Sequence, residues 1–232
     1  MIKQTNIADK AVVLLSGGLD SYTCLAIAKS RGMSVYALTV IYGQRHDAEV
    51  KAAAKIAKDE GVQEHKILRV NLNDVADSAL TNEKAAVPKS REMARIGDGE
   101  IPVTYVPARN SVFLALAASY AESAGASRIF IGVNALDYSG YPDCRPDFIN
   151  AMQAALNLGT KAGGLTIETP LINMTKAEII RCGSALGLDY SKSVTCYDAD
   201  DEGRACGDCD ACLLRKKGFK EADIADPTHY RS

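Results

Sequence analysis

Two groups of residues in this chain have types and spacings that could do chemistry. The first is Ser16-Gly17-Gly18-Leu19-Asp20-Ser21. The apolar run Ala11–Leu15 precedes it, and a segment with Leu25, Ala26 and Ala28 available for packing follows it. That order predicts a strand, a glycine turn and a helix. The first amides of a helix have no intrahelical acceptor, and the macrodipole adds about half a positive charge there. An anion fits such a place. Gly17 and Gly18 let the backbone come close to phosphate oxygens. Ser16 and Ser21 offer hydroxyl donors, and Asp20 can cap the helix or hold a magnesium ion. A plain strand-to-helix turn with a capping Asp is the bland alternative, and a bare Gly-Gly would favour it. Six consecutive residues of suitable type favour a phosphate site. The run lacks the Lys of one common phosphate loop and is too short for the glycine fingerprint of another.

The second group is Cys196, Cys206, Cys209 and Cys212, spaced C-x9-C-x2-C-x2-C. Two residues between thiolates let one turn of chain occupy two tetrahedral vertices. The loop 197–205 gives the fourth ligand its reach, with Gly203 and Gly207 for bends. Four thiolates with no open position describe a structural zinc site, with an iron–sulfur cluster as the rival. On peptide precedents zinc would contribute about 10 kcal/mol or more to folding of the segment. Arg215, Lys216 and Lys217 follow the last ligand and read as a solvated face. Of the other cysteines, Cys24 and Cys182 read as small core residues, whereas Cys144 lies in a polar, turn-rich stretch.

The elements that must position these groups alternate in type. Ser34–Ile41 is a β-branched run suited to a strand buried on both faces. Asp47–Glu60 reads as a helix with Val50, Ala54 and Ala57 on one stripe, ended by Gly61. His65–Val70 is a short strand. Residues 71–99 are irregular and rich in charge, with a short helix and a loop expected among them. Ile101–Val103 reads as a brief strand. Ser111–Ala124 is a helix with Asn110 as N-cap and Gly125 as terminator. Arg128–Val133 is a strand, Asp147–Leu158 a helix closed by Gly159, and Thr166–Glu168 a strand. Lys176–Leu186 is a helix with a Thr175–Glu178 capping box.

This alternation implies an α/β fold: a doubly wound, mainly parallel sheet with helices on both faces, Rossmann-like, with a small zinc-binding segment at the C-terminus. The expected division is residues 1–189 for the nucleotide-binding α/β domain and 190–232 for the four-cysteine segment. Ligands of such sheets bind beyond the carboxyl ends of the strands, where strand order switches. The 232 residues suffice for a sizeable core. A net charge of −2 argues against a large nucleic-acid footprint. No stretch approaches the roughly 20 apolar residues of a membrane span. The first ten residues carry no signal-peptide pattern, so a cytoplasmic protein is expected, with its cysteines reduced.

The SGGLDS run resembles the phosphate loop of the PP-loop, or N-type ATP pyrophosphatase, superfamily. Within it, the ordered set SGGLDS (16–21), YGQRH (42–46), VPARN (106–110), DYSGYPDCRPDF (137–148), ETPL (168–171) and the four cysteines resembles the 7-cyano-7-deazaguanine synthase family of queuosine precursor synthesis. The resemblance runs from about residue 11 to 214. Two departures stand out: Ala108 where the family often has Gly, and Ile41 where it often has an acidic residue. The resemblance implies a ligase that joins ammonia to a carboxylated deazaguanine at the expense of ATP, with magnesium. It implies ATP on the segment Leu15, Ser16, Gly17, Gly18, Leu19, Asp20, Ser21, Tyr22, Thr23, Cys24 and Leu25. Ser16, Asp20, Arg109 and His46 are the catalytic candidates. Arg45, Asp137, Tyr138, Tyr141 and Asp143 are the substrate candidates, with Asp147 a further carboxylate, and Lys176 could reach a phosphate. Each has an ordinary alternative: Arg45 and His46 as an exposed pair near a helix start, Lys176 as a surface lysine. A homodimer is expected, with no nucleic-acid or membrane partner. The competing class is a tRNA-modifying enzyme of the same superfamily, of thiolation or lysidine type.

Overall fold

The computed structural model describes residues 9–45, 47–82, 84–92, 96, 101–136 and 141–231. Five parallel strands form one sheet in the order β3-β2-β1-β4-β5: β1 Lys10–Leu14, β2 Ser34–Ile41, β3 Glu64–Arg69, β4 Arg128–Phe130 and β5 Thr166–Glu168. β1 lies in the middle, with Val13 paired to Ala37 of β2 on one side and to Phe130 of β4 on the other. The helices are α1 Leu19–Ser30, α2 Ala48–Asp59, α3 Arg109–Ala124, α4 Pro146–Gly159, α5 Lys176–Ala185 and α6 Asp210–Ala222.

The two faces of the sheet are read off β1 itself, because side chains alternate along a strand. Ala11 and Val13 enter a core with Leu25 of α1, Ile56 of α2, Ile180 of α5 and Phe219 of α6. Val12 and Leu14 enter a second core with Leu114 and Ala117 of α3 and Ile149 of α4. A strand buried on both faces can be a continuous apolar run, as β1 is. Burying one such Leu, Ile or Phe contributes about 1.5–3 kcal/mol. The doubly wound arrangement is therefore present, and α6 of the cysteine-bearing segment shares the first core through Phe219 and Ala222.

Most expected elements are found within a residue or two, and the Thr175–Glu178 capping box is formed. Gly61 and Gly125 end α2 and α3 at φ +62° and +67°. Four expectations need correction. Residues 101–103 form no strand: Pro102 has no N–H to donate, Ile101 and Val103 are exposed, and the Val103 carbonyl accepts from Ala79 N and Ser78 Oγ instead. The buried stripe of α2 is Ala52, Ala53, Ile56 and Ala57, leaving Ala54 exposed. β4 stops at Phe130, three residues before the expected end. Asn110 is not an N-cap: α3 begins at Arg109, and Ala108 precedes it in the left-handed region at φ 54°. The Asn110 amide N–H is accepted by the Asp143 carboxylate at 3.0 Å, so the helix start is capped from a distant loop. That backbone angle costs an L-residue about 1–2 kcal/mol, a cost that glycine would avoid. No helix among the described residues is long and apolar enough to cross a membrane.

Candidate active site and metal centre

After β1 the chain goes to β2 on one side, and β4 lies on the other, so the strand order switches between β1 and β4. A cavity of about 230 Å³ lies at the carboxyl ends of these strands, lined by Ser16 and residues 18–21 of the turn, Thr39 near the end of β2, Tyr42 just after it, and Gly132 to Asn134 after β4. Gly17 sits at φ +91°, and a Cβ there would lie 2.1 Å from the Glu49 carbonyl oxygen, so only glycine fits. Gly132 serves a second close approach: its Cβ would lie 3.1 Å from the backbone of Asp20 and Ser21, at the start of α1.

The hydrogen bonds of the phosphate turn divide into closed and open ones. The Ser21 hydroxyl accepts from Ser16 N at 3.1 Å, donates to the Gly18 carbonyl at 3.0 Å and meets Ser16 Oγ at 3.0 Å, which closes the turn. Leu19 N donates to Thr195 Oγ1 at 3.1 Å. No hydrogen bond from Asp20 N or Ser21 N is found among the described residues, so two amides at the N-terminus of α1 stay open beside the cavity. Ser16 is exposed there. Asp20 is held by Lys176, whose Nζ lies 2.7 and 2.8 Å from its two carboxylate oxygens. Lys176 is buried, not a surface lysine.

The remaining named residues separate by position. Leu15, Ser16, Gly18, Leu19, Asp20 and Ser21 line the cavity, as do Arg45, Arg109 and Tyr141. Tyr22, Thr23, Cys24 and Leu25 do not line it. They are buried in α1, with Tyr22 donating to Glu60 and Thr23 bonded to Tyr190. Asp143 is buried beside Asn110 and Cys144 as the cap of α3, and Asp147 is exposed at the start of α4. Arg45 donates to the Ala85 carbonyl at 2.9 Å. The Tyr141 hydroxyl is 2.8 Å from Thr104 Oγ1. His46, Asp137 and Tyr138 lie outside the described residues.

Arg109 lies over the rings of Tyr42 and Phe113, 5.5 and 6.0 Å from their centroids, and its Nε is buried with no hydrogen-bond partner. Burial works against its charge, but Tyr42, Tyr141 and Asp143 outweigh that and raise its pKa. A guanidinium so placed is prepared for an anion.

The four cysteine sulfurs lie within 4.8 Å of one another. A tetrahedral ion with bonds of about 2.3 Å sets its sulfurs about 3.8 Å apart, and Cys206 and Cys212 are at 3.9 Å. The donor set therefore fits one thiophilic ion, whereas a cluster of several irons would hold its thiolates farther apart. Backbone amides of Asp198 and Cys206 donate to Cys196 Sγ at 3.3 and 3.2 Å, which favours the thiolate. The centre also touches the cavity, whose wall includes Thr195, Cys196 and Tyr197.

Arg215 is the further correction: it is fully buried, not part of a solvated face. Its guanidinium donates to Ser193 Oγ (2.9 Å), Thr195 Oγ1 (3.2 Å) and the Tyr190 carbonyl (2.9 Å), and reaches Asp226 at 3.3 Å. Val194 N donates to the Gly17 carbonyl at 3.0 Å. The strand of chain 193–196 thus straps the phosphate turn to the cysteine centre. Sequence reading missed Thr195, Arg215, Glu49 and Gly132. The only local signals were an Arg inside a helix after a cysteine ligand and a Gly just beyond a strand.

The family model described as queuosine biosynthesis protein QueC matches residues 10–223. Curated relatives include a 7-cyano-7-deazaguanine synthase of Pseudomonas savastanoi pv. phaseolicola, 54% identical over 99% of this chain and 100% of its own length. Another, from Azoarcus sp., is 56% identical over 96% of this chain and 97% of its own length. Among solved structures, NMN synthetase from Francisella tularensis aligns over 95% of this chain and 79% of its own, at 14% identity and a TM-score of 0.49.

Proposed function

The chain belongs to the QueC family of queuosine biosynthesis proteins, and from that premise we propose that it is an ATP-dependent carbon–nitrogen ligase making 7-cyano-7-deazaguanine from 7-carboxy-7-deazaguanine and ammonia. One observation carries the ATP part: the turn at the switch point keeps two helix-N-terminal amides open beside a cavity, next to the exposed hydroxyl of Ser16.

A carboxylate resists amination because its leaving group would be oxide. Transfer of AMP to the carboxylate oxygen supplies a good leaving group and releases pyrophosphate. Ammonia attack then gives the amide. A second transfer of AMP, to the amide oxygen, followed by loss of that oxygen, gives the nitrile. Both rounds need the same phosphate cradle, so one site serves both. Ser16, Gly17, Gly18 and Ser21 shape the cradle, and Lys176 and Asp20 stand ready at its edge, the lysine toward phosphate and the carboxylate toward magnesium. Magnesium would neutralise charge on the departing pyrophosphate. Arg109 and Arg45 hold anionic groups, and Tyr141 is placed for the base, with Tyr138, Asp137 and His46 as further candidates from the sequence. The rest is positioning and charge stabilisation. The four-cysteine centre holds zinc, the protein acts as a homodimer, and it works in the cytoplasm.

The test is an incubation of the protein with ATP, magnesium, ammonium and the carboxylated base, followed by mass spectrometry. Nitrile and AMP are expected in a ratio of one to two. Absence of nitrile with intact protein overturns the reading, and Asp20→Ala is expected to abolish turnover while leaving metal content unchanged.

A further inference from the structure

Glu49 has no part in the scheme above. It stands in the first turn of α2, where an acidic residue ordinarily complements the helix dipole in water. Here the turn that carries it is pressed against the phosphate turn, its carbonyl being the atom a Gly17 Cβ would strike. Its side chain lines the cavity. The carboxylate accepts no hydrogen bond from any described residue. The Arg109 guanidinium lines the same cavity and acts on its charge, yet no ion pair joins the two. A carboxylate and a guanidinium held apart in one cavity leave room for a cation beside the first and an anion beside the second.

We propose that Glu49 is the proton acceptor of the amination chemistry, taking the protons that nitrogen sheds in both rounds. This rests on the adenylation reading. In the first round, ammonia attacks the acyl carbon of the adenylate and the new C–N bond leaves an extra proton on nitrogen. Glu49 takes that proton, and the C–O bond to AMP breaks with its electron pair on AMP. In the second, the adenylated amide carries two N–H protons on a cationic nitrogen; Glu49 takes one, passes it to water, and then takes the other, whose bonding electrons stay on nitrogen. Those electrons complete the C≡N bond as the C–O bond to AMP breaks. Between rounds the carboxyl returns its proton to water.

The electrostatics agree. Burial pushes the Glu49 carboxyl up to about 7, against the Arg109 charge and with a smaller push from Cys209. The other charged side chains of the cavity are engaged: Asp20 with Lys176, and Arg45 with the Ala85 carbonyl. A base near neutrality suits proton transfer at physiological pH.

The test separates adenylation from amination. ATP–pyrophosphate exchange with the carboxylated base and no ammonium reads the first, and nitrile formation reads the second. In Glu49→Gln, exchange is expected within a few fold of the parent, with nitrile formation down at least about 100-fold. The acid limb of the parent's pH–rate profile, near pH 7, is expected to vanish in the variant. Equal loss of exchange and nitrile in a folded, metal-replete variant overturns the proposal, as does turnover with an unchanged pH profile. Should Glu49→Gln fail to fold, the same two measurements on Glu49→Asp decide. If the parent itself makes no nitrile, the adenylation reading falls; if the parent works and the variant matches it, only the role of Glu49 falls.

Discussion

The phosphate turn and the cysteine segment meet at Thr195 but are held by different forces. The turn hangs between β1 and α1, both buried in the sheet's own cores, and its shape follows from backbone angles and short hydrogen bonds. Around its ligands, residues 196–212 of the cysteine segment have only a small apolar cluster, consisting largely of the cysteines themselves and their neighbours Val87, Ala205 and Ala211, while the later part of α6 packs into the first sheet core. A stretch with so little core needs another source of stability, and four converging thiolates are placed to supply one by holding an ion. The contrast sets a sheet-anchored part beside a part whose order, under the proposed zinc reading, rests on metal.

Removing the metal should break the comparison most sharply. Chelation, or Cys209→Ser, is expected to remove about 10 kcal/mol or more of binding free energy from the segment. Hydrogen exchange should then show residues 193–212 opened while β1 and β2 stay protected, and ATP should bind more weakly because Leu19 N loses its acceptor. Uniform loss of protection would mean that the two regions are one cooperative unit. Next comes Arg215→Met, which leaves Asp226 and the 190–195 hydroxyls and carbonyl without their buried partner. A cost of about 3–5 kcal/mol in urea unfolding is expected, with retained metal content distinguishing it from ligand loss.

Gly17→Ala tests the other region. The left-handed angle alone costs about 1–2 kcal/mol, and the collision with the Glu49 carbonyl adds to it. Metal content should be unaffected and ATP affinity lost. Thr195→Val touches the seam between the regions: loss of a helix-start acceptor costs about 0.5–2 kcal/mol, read as a lowered melting temperature, and a raised KM for ATP with little change in kcat is expected. The smallest effect is a gain. Ala108→Gly relieves a left-handed alanine, so the melting temperature should rise by the equivalent of about 0.5–1 kcal/mol, the strain relieved exceeding the added chain entropy.

Local signals were legible. The strand–SGGLDS–helix unit, the Thr175–Glu178 box, the helix stops at Gly61 and Gly125 and the four-cysteine spacing all involve neighbours within a few residues or one turn of chain. The failures share a different origin. Asn110 looked like a cap because Asp143, the group that serves α3, is 33 residues away. Arg215 looked solvated because its partners at 190, 193, 195 and 226 come together only in the fold. Residues 101–103 looked like a strand by composition, but the Val103 carbonyl is taken by Ala79 N and Ser78 Oγ, more than twenty residues back in the chain. The ATP segment was drawn through Leu25 because chain proximity cannot tell which face of α1 meets a cavity and which meets the core.

By itself, then, the amino-acid order determined the alternating elements, the anion-ready turn and the tetrathiolate set, since each depends on backbone angles or short spacing. Only the tertiary structure decided that the cysteine segment forms a wall of the switch-point cavity, that Lys176 lies on Asp20, and that Glu49 and Arg109 face one space without pairing. Those relations join residues tens to well over a hundred positions apart, and what brings them together is the burial of apolar faces on both sides of one sheet, which no local pattern encodes.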